Sequence, residues 1–139
     1  MKTSLPRRRA LRWAPLAAAA LLAACGGDGG TPTPVPGELV LRLETPFTDD
    51  RAMVVSLSGP GAIASVAPAR AGTSVYSTAP GGTTRRVAVF GAITGGDLLR
   101  LSVPDVNRAR AYTATVVEAA GLSNQPRADV SGYRVTFAR

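Results

Sequence analysis

The residue with the most defined chemistry is Cys25, the only cysteine in the chain. It follows Leu22-Ala23-Ala24, a branched apolar residue and two small ones, at the end of an uncharged apolar run that begins at Trp13. A cysteine thiolate is a nucleophile that can accept a lipid group, and small residues before it suit a protease with a narrow site. Since there is no second cysteine, an intramolecular disulfide is excluded.

The segment before Cys25 has the pattern of a secretion signal. Lys2, Arg7, Arg8, Arg9 and Arg12 form a cationic region, and the apolar run after them has 12 residues. A membrane-spanning helix needs roughly 20 residues, whereas the core of a signal peptide needs only about 7–15. The length therefore favours a cleaved signal.

Leu22-Ala23-Ala24-Cys25 resembles the lipobox of bacterial lipoproteins at all four positions. The resemblance implies cleavage between Ala24 and Cys25, acylation of Cys25, and membrane lipid as the partner of the acyl chains. Gly26, in place of the Asp that retains lipoproteins at the inner membrane, implies sorting to the outer membrane. The alternative is an ordinary secretory signal that leaves Cys25 as an unpaired thiol.

The rest of the chain lacks the groups of most catalytic centres. The full chain contains no His, and its one Lys, Lys2, precedes Cys25. The segment after Cys25 therefore lacks the usual bases for a nucleophile and the usual ligands of zinc. Asp49-Asp50 could hold calcium, but a solvated turn is the preferred interpretation because repeated acidic spacing is missing. We expect no enzyme activity, no metal and no cofactor. The remaining carboxylates show no spacing that selects an acid pair: Glu38, Glu44, Asp97, Asp105, Glu118 and Asp129.

The net charge of +7 does not indicate a nucleic-acid-binding surface. Five of the 16 basic residues precede Cys25, so the mature chain carries 11 Arg against 9 Asp and Glu, a net charge of +2. These arginines are dispersed, and Arg85-Arg86 is their only adjacent pair. Binding to phosphates requires basic residues clustered on one face, so nucleic acid is not an expected partner.

Aromatic residues and one arginine pair are the candidates for binding. Tyr76 and Phe47 lie near expected turns, so they are the aromatic side chains most expected to be exposed, whereas core packing is expected for Phe90, Phe137, Tyr112 and Tyr133. Arg85 and Arg86 could contact an acidic partner, although a solvated entry to a strand is the simpler interpretation.

The elements that would position these residues fall into three segments. Residues 1–24 are the signal, and residues 25–37 are the lipidated cysteine with a flexible tether rich in Gly, Thr and Pro. Residues 38–139 break into short runs of Val, Leu, Thr and Tyr between turn residues, which is typical of one all-β domain. The expected strands are 38–44, 52–58, 63–67, 73–77, 85–93, 97–103, 111–119 and 133–137.

Alternation along these strands predicts which face is buried. Leu39, Leu41 and Leu43 share one face, as do Leu99, Leu101 and Val103, with Leu98 on the opposite face. Tyr133, Val135 and Phe137 form a third set. The segments Met53–Val55 and Val87–Phe90 are apolar on both faces, so they are expected at the centre of a sheet. Thr94-Gly95-Gly96-Asp97 suggests a tight hairpin, because glycine tolerates positive φ.

About eight strands in roughly 100 residues predict a single antiparallel β-sandwich. The succession of strands from about residue 50 to 137 resembles the cohesin-like and carbohydrate-binding-module sandwiches of secreted bacterial proteins. That resemblance implies the fold, but no binding residue is carried over from it. The leading hypothesis is a non-catalytic envelope protein that binds another protein or has a structural role, and the alternative is a carbohydrate-binding module that recognises an envelope polysaccharide.

Overall fold

A computed structural model describes residues 32–78 and 81–139 of the chain. The predicted signal 1–24, with Ala24 at its cleavage site, Cys25, and the first part of the tether lie outside the described residues. Among the helices of the described residues, none has the length and apolar character that crossing a membrane requires.

The described chain forms two four-stranded antiparallel sheets packed face to face, which confirms the predicted all-β sandwich. One sheet has the order β3-β6-β1-β8 and the other β4-β5-β2-β7. The only helix among the described residues is a 3₁₀ helix, Val106–Ala111. The strands are β1 Gly37–Glu44, β2 Asp50–Ser58, β3 Ser65–Pro68, β4 Ser74–Ser77, β5 Thr84–Ile93, β6 Gly96–Val103, β7 Thr113–Gly121 and β8 Arg134–Ala138.

The core is built from the alternating side chains that the sequence places on one face of each strand. Leu39 and Leu41 of β1, Val87 and Val89 of β5, and Leu101 of β6 are fully buried. They fill the space between the sheets, and each contributes about 1.5–3 kcal/mol of hydrophobic stabilisation. As predicted from their two-sided apolar sequence, β2 and β5 are central strands.

Two details of the predicted strands differ in the structure. Leu98, expected on the solvent side of β6, is only 1% exposed. The pairing of β1 with β6 shifts from Leu41↔Leu99 to Arg42↔Asp97, so Leu98 is the extra residue of a β-bulge, which interrupts the strict alternation of the side chains. Gly37, predicted to belong to the tether, is the first residue of β1. Val35 donates its backbone N–H to Asp105, and its carbonyl accepts from Val106.

The predicted hairpin at Thr94–Asp97 is wrong. β5 pairs with β2 and β4, whereas β6 pairs with β1 and β3, so the chain crosses here from one sheet to the other. Gly96, with a φ of +106°, permits the crossing. Arg70 fixes it by donating to the Thr94 hydroxyl at 2.6 Å and to the Gly95 carbonyl. A glycine pair supplies the turn conformation but does not decide whether the strands it joins are neighbours.

Candidate interaction surface

The outer surface of the β4-β5-β2-β7 sheet carries exposed aromatic side chains. Tyr76 of β4 lies opposite Ala88 of β5, and Ala88 lies opposite Val54 of β2, so these three share one face. Phe90 is two residues beyond Ala88 and therefore points to the same side. Their neighbours along the strands, such as Val89, are buried in the core. We call Tyr76, Ala88, Phe90 and Val54 the aromatic face.

Tyr76 and Phe90 are the most exposed aromatic residues of the described chain. Tyr76 is 67% exposed and Phe90 46%, and their ring centroids lie 6.0 Å apart at an interplanar angle of 69°. An edge-to-face pair of this kind is a favoured aromatic geometry that holds both rings in fixed positions. Because Ala88 and Val54 beside them are small, both rings project above the sheet.

The aromatic face continues toward β7. A shallow depression of about 100 Å³ lies between β2 and β7 and is lined by Ala52, Val54, Glu118, Ala120 and Pro126, among others. The opposite border carries Arg86, which is exposed and lies opposite Ser56 of β2. The surface thus has an apolar centre with an arginine at one border and a glutamate at the other, an arrangement common at protein interfaces.

The structure separates the four predicted binding residues. Tyr76 and Arg86 lie on the outer surface of the same sheet, as exposed residues. Arg85 points inward and is only 2% exposed; it donates weakly to the Ser77 hydroxyl and the Ala64 carbonyl, at 3.5 and 3.3 Å. Phe47 is half-buried on another part of the molecule. Arg85 is therefore removed from the set of surface candidates.

Phe90 was expected in the core and is instead exposed. Alternation along β5 places Phe90 on the face opposite the buried Val87 and Val89, and the outer face of the sheet is not covered by described residues. The apolar residues on both faces of Val87–Phe90 already indicate this possibility. The outer face of such a strand is either covered by another layer or forms an apolar surface.

Phe47 packs beneath an arginine in a buried polar cluster. The Arg127 guanidinium carbon lies 4.0 Å from the Phe47 ring centroid, a cation–π contact, and the Tyr133 ring is 5.8 Å away from that of Phe47. This cluster joins the loop after β1 to the long connection between β7 and β8. Its role is to hold those loops in place.

Asp50 is the centre of this cluster and is fully buried. Its Oδ1 accepts from Arg127 Nε at 3.0 Å and Nη2 at 2.8 Å, and its Oδ2 accepts from the Tyr133 hydroxyl at 2.8 Å and the Thr45 hydroxyl at 3.1 Å. The solvated turn expected at Asp49-Asp50 is wrong for Asp50, which begins β2 and is 0% exposed.

The charges of the cluster stabilise one another. Arg127 donates to Asp49 at 2.5 Å and thereby holds the pKa of that carboxyl below its usual range, while the two carboxylates raise the pKa of Arg127. Burial raises the pKa of Tyr133 to about 12, and its hydrogen bond to Asp50 adds to this effect. Both Asp50 oxygens are occupied by protein donors, so the pair is not arranged as a calcium site or as a catalytic acid pair.

The described residues contain no cluster of three or more Asp, Glu, His or Cys that could hold a metal ion. No protein-family model matches the chain, and neither does any curated protein or solved structure. The likeness to cohesin-like and carbohydrate-binding-module sandwiches therefore stays an interpretation of the sequence.

Proposed function

We propose that this chain is a lipid-anchored protein of the bacterial envelope whose β-sandwich binds another protein through the aromatic face, without catalysis. The observation that carries the proposal is the exposure of Tyr76 and Phe90, side by side on the flat side of a sheet. Burying such rings against a partner yields about 25 cal/mol per Å² of apolar surface, and aromatic residues are enriched among interface hot spots.

A protein partner is favoured over a polysaccharide by the orientation of the rings. Stacking of successive sugar rings requires aromatic planes that lie open and nearly parallel to the surface, whereas the Tyr76 and Phe90 planes meet at 69°. Two rings packed edge to face complement the irregular apolar surface of a protein better than they complement a row of flat pyranose rings. Carbohydrate binding remains the second candidate, because the one open face of Tyr76 is sufficient to stack a single sugar.

A non-catalytic role is supported by the state of the titratable groups. The one deeply buried carboxylate, Asp50, has both oxygens engaged by Arg127, Tyr133 and Thr45, so neither is available to a substrate. The aromatic face offers no nucleophile paired with a base. Turnover of glycoside, ester or peptide substrates by the full chain, lost in a single Asp or Glu variant that still folds, would contradict this part of the proposal.

The anchor is supported by the sequence Leu22-Ala23-Ala24-Cys25 behind a cationic and then apolar segment. Each buried methylene of an acyl chain contributes about 0.8 kcal/mol to membrane binding. One chain binds only reversibly, so two or more acyl chains on Cys25 would anchor the protein stably. We propose the outer membrane as its location, because Gly26 stands in place of the Asp that retains lipoproteins at the inner membrane. An anchored module gains from local concentration of a partner in the same envelope.

Site-specific photocrosslinking tests the binding surface. A photoreactive phenylalanine analogue is introduced at Phe90, and, as the matched control, at Arg100, which is exposed on the outer side of the other sheet. We expect the probe at position 90 to capture one defined envelope protein that the probe at position 100 does not capture, and Tyr76→Ala to abolish the capture. Equal capture at both positions, or retention on polysaccharide resins that Tyr76→Ala removes, would contradict a protein partner.

A further inference from the structure

The two sheets do not close along the side where β7 and β8 run. Two adjoining open cavities of about 650 and 380 Å³ lie there, and Ala114 of β7 with Val135 and Thr136 of β8 line both of them. Half-buried Val135 and Phe137 form part of the floor. The cavities thus make one continuous groove, which we call the β8 groove.

The groove is bordered by the outer edge of β8. This strand pairs on one side with β1, and no other described strand pairs with its second side. Along that side, the N–H and C=O groups of alternate residues lack ladder partners, which makes an open edge a template for another extended chain. Five residues of β8 span about 17 Å.

The other edge strands are protected in ways that β8 is not. β3 and β4 have four residues each and contact one another, and β3 ends in Pro68. The pairing of β7 with β2 is irregular at Val54/Val55, and Pro126 bridges to Ala120 near the end of β7. β8 contains neither proline nor glycine and pairs with β1 without a register shift. Of the four edges it is therefore the most receptive to strand addition.

The charges at the ends of the groove favour an acidic segment. Arg110 lines one cavity, and Arg134 with Glu44 lines the other. Neither arginine forms an ion pair within the part of the chain that the structure describes. Two cations against one carboxylate complement a peptide whose ends are acidic.

We propose that the β8 edge binds, by β-strand addition, an extended segment of a partner protein that is apolar at alternate positions and acidic at its ends. The added strand would extend the β3-β6-β1-β8 sheet and place every second side chain in the β8 groove against Val135 and Phe137. Main-chain hydrogen bonds supply affinity in this mode, and the side-chain pockets supply specificity. This site is distinct from the aromatic face and does not depend on it.

A second copy of the chain fits the groove less well. When two β8 strands pair edge to edge, the side chains of the second strand that would fill the groove, Val135 and Phe137, are already packed against their own core. The groove would stay empty behind the new pair. A free segment without its own core is therefore the occupant that satisfies both the backbone edge and the apolar floor.

The test uses the purified full chain and the peptide Asp-Val-Thr-Val-Thr-Val-Asp, blocked at both ends. Binding is followed by fluorescence anisotropy, and hydrogen exchange locates it. We expect exchange to slow at the amides of Arg134–Ala138 when the peptide is added, with no slowing in β4. N-methylation of alternate peptide amides along one edge should weaken binding by roughly tenfold or more, and the same change along the other edge by less than about twofold.

Two protein variants test the charge complementarity. Arg110→Glu should weaken binding of the peptide by roughly tenfold, while Arg100→Glu, at an exposed arginine on the outer side of β6, should change it by less than about twofold. Unchanged exchange at β8 with millimolar peptide, or equal effects of the two N-methylated peptides, would overturn the proposal. A concentration-dependent dimer with β8 already protected in the absence of peptide would also overturn it and assign the edge to a second copy.

Discussion

The substitution Tyr133→Phe tests the polar cluster at Asp50, because it removes one hydroxyl and leaves the ring. In the folded protein that hydroxyl donates to Asp50 Oδ2 at 2.8 Å, and Asp50 is fully buried. After the change, Oδ2 keeps only the longer bond from Thr45, at 3.1 Å. A buried carboxylate oxygen thus loses its shorter donor, and water cannot replace it without opening the loops.

The expected loss is about 2 kcal/mol in the free energy of unfolding, because hydrogen bonds to charged groups contribute about 1.5–3 kcal/mol. With a urea m-value of about 1–3 kcal/mol/M, the midpoint of unfolding should fall by about 1 M. Equilibrium urea denaturation followed by circular dichroism measures it. The matched control is Tyr112→Phe: Tyr112 is similarly buried, but its hydroxyl makes no hydrogen bond to the described residues, so the change should cost less than about 0.5 kcal/mol.

A double-mutant cycle with Asp50→Asn assigns the effect to the pair. The Tyr133→Phe change should cost at least about 1 kcal/mol less when residue 50 already lacks its charge. Equal shifts for Tyr133→Phe and Tyr112→Phe, or a Tyr133→Phe effect that is unchanged in the Asp50→Asn background, would refute the assignment of stability to this cluster.

Three further outcomes are expected. Leu101→Asp should destabilise the domain by about 4 kcal/mol or more because it buries an unpaired charge, whereas Arg100→Asp, on the exposed side of the same strand, should have little effect on the melting temperature. Because the folded pKa of Tyr133 is raised to about 12, its contribution to stability is complete below the unfolded value of about 10 and is lost as the pH rises from about 10 to about 12. Tyr133→Phe should make alkaline unfolding less steep in that range, measured by denaturation at several pH values. Mass spectrometry should find an acylated Cys25 at the mature N-terminus, and Cys25→Ser should release the protein from the membrane fraction; an unmodified cysteine would contradict the anchor.

The sequence predicts the strands and their inward faces well because both follow from local patterns. A period of two in Leu39-Val40-Leu41-Arg42-Leu43 determines which side chains are buried, independently of the strands that later become neighbours. The connection at Gly95-Gly96 shows where local information ends. Its two glycines permit either a hairpin or a crossing, and the choice depends on the pairing of β5 with β2 and of β6 with β1, which joins distant residues.

The candidate site is predictable only in part for the same reason. Tyr76 is exposed as expected, but Phe90 joins it only through the pairing of β4 with β5. The sequence predicts a turn at Asp50 because its neighbours in sequence give no sign of its main partner, Arg127, which lies 77 positions further along the chain. No periodicity connects residues at that separation. A buried carboxylate can therefore not be recognised from its neighbours in sequence.

If the aromatic face is the protein-binding surface, substitutions of its aromatic residues should weaken the affinity of the chain for the crosslinked partner. Titration calorimetry compares the full chain with Tyr76→Ala/Phe90→Ala and with the control Arg100→Ala, at an exposed residue on the outer side of the other sheet. Loss of two aromatic anchors should raise the Kd by roughly a hundredfold or more, and the control by less than about twofold. A double variant that keeps its fold and binds the partner as tightly as the native chain would contradict binding through the aromatic face.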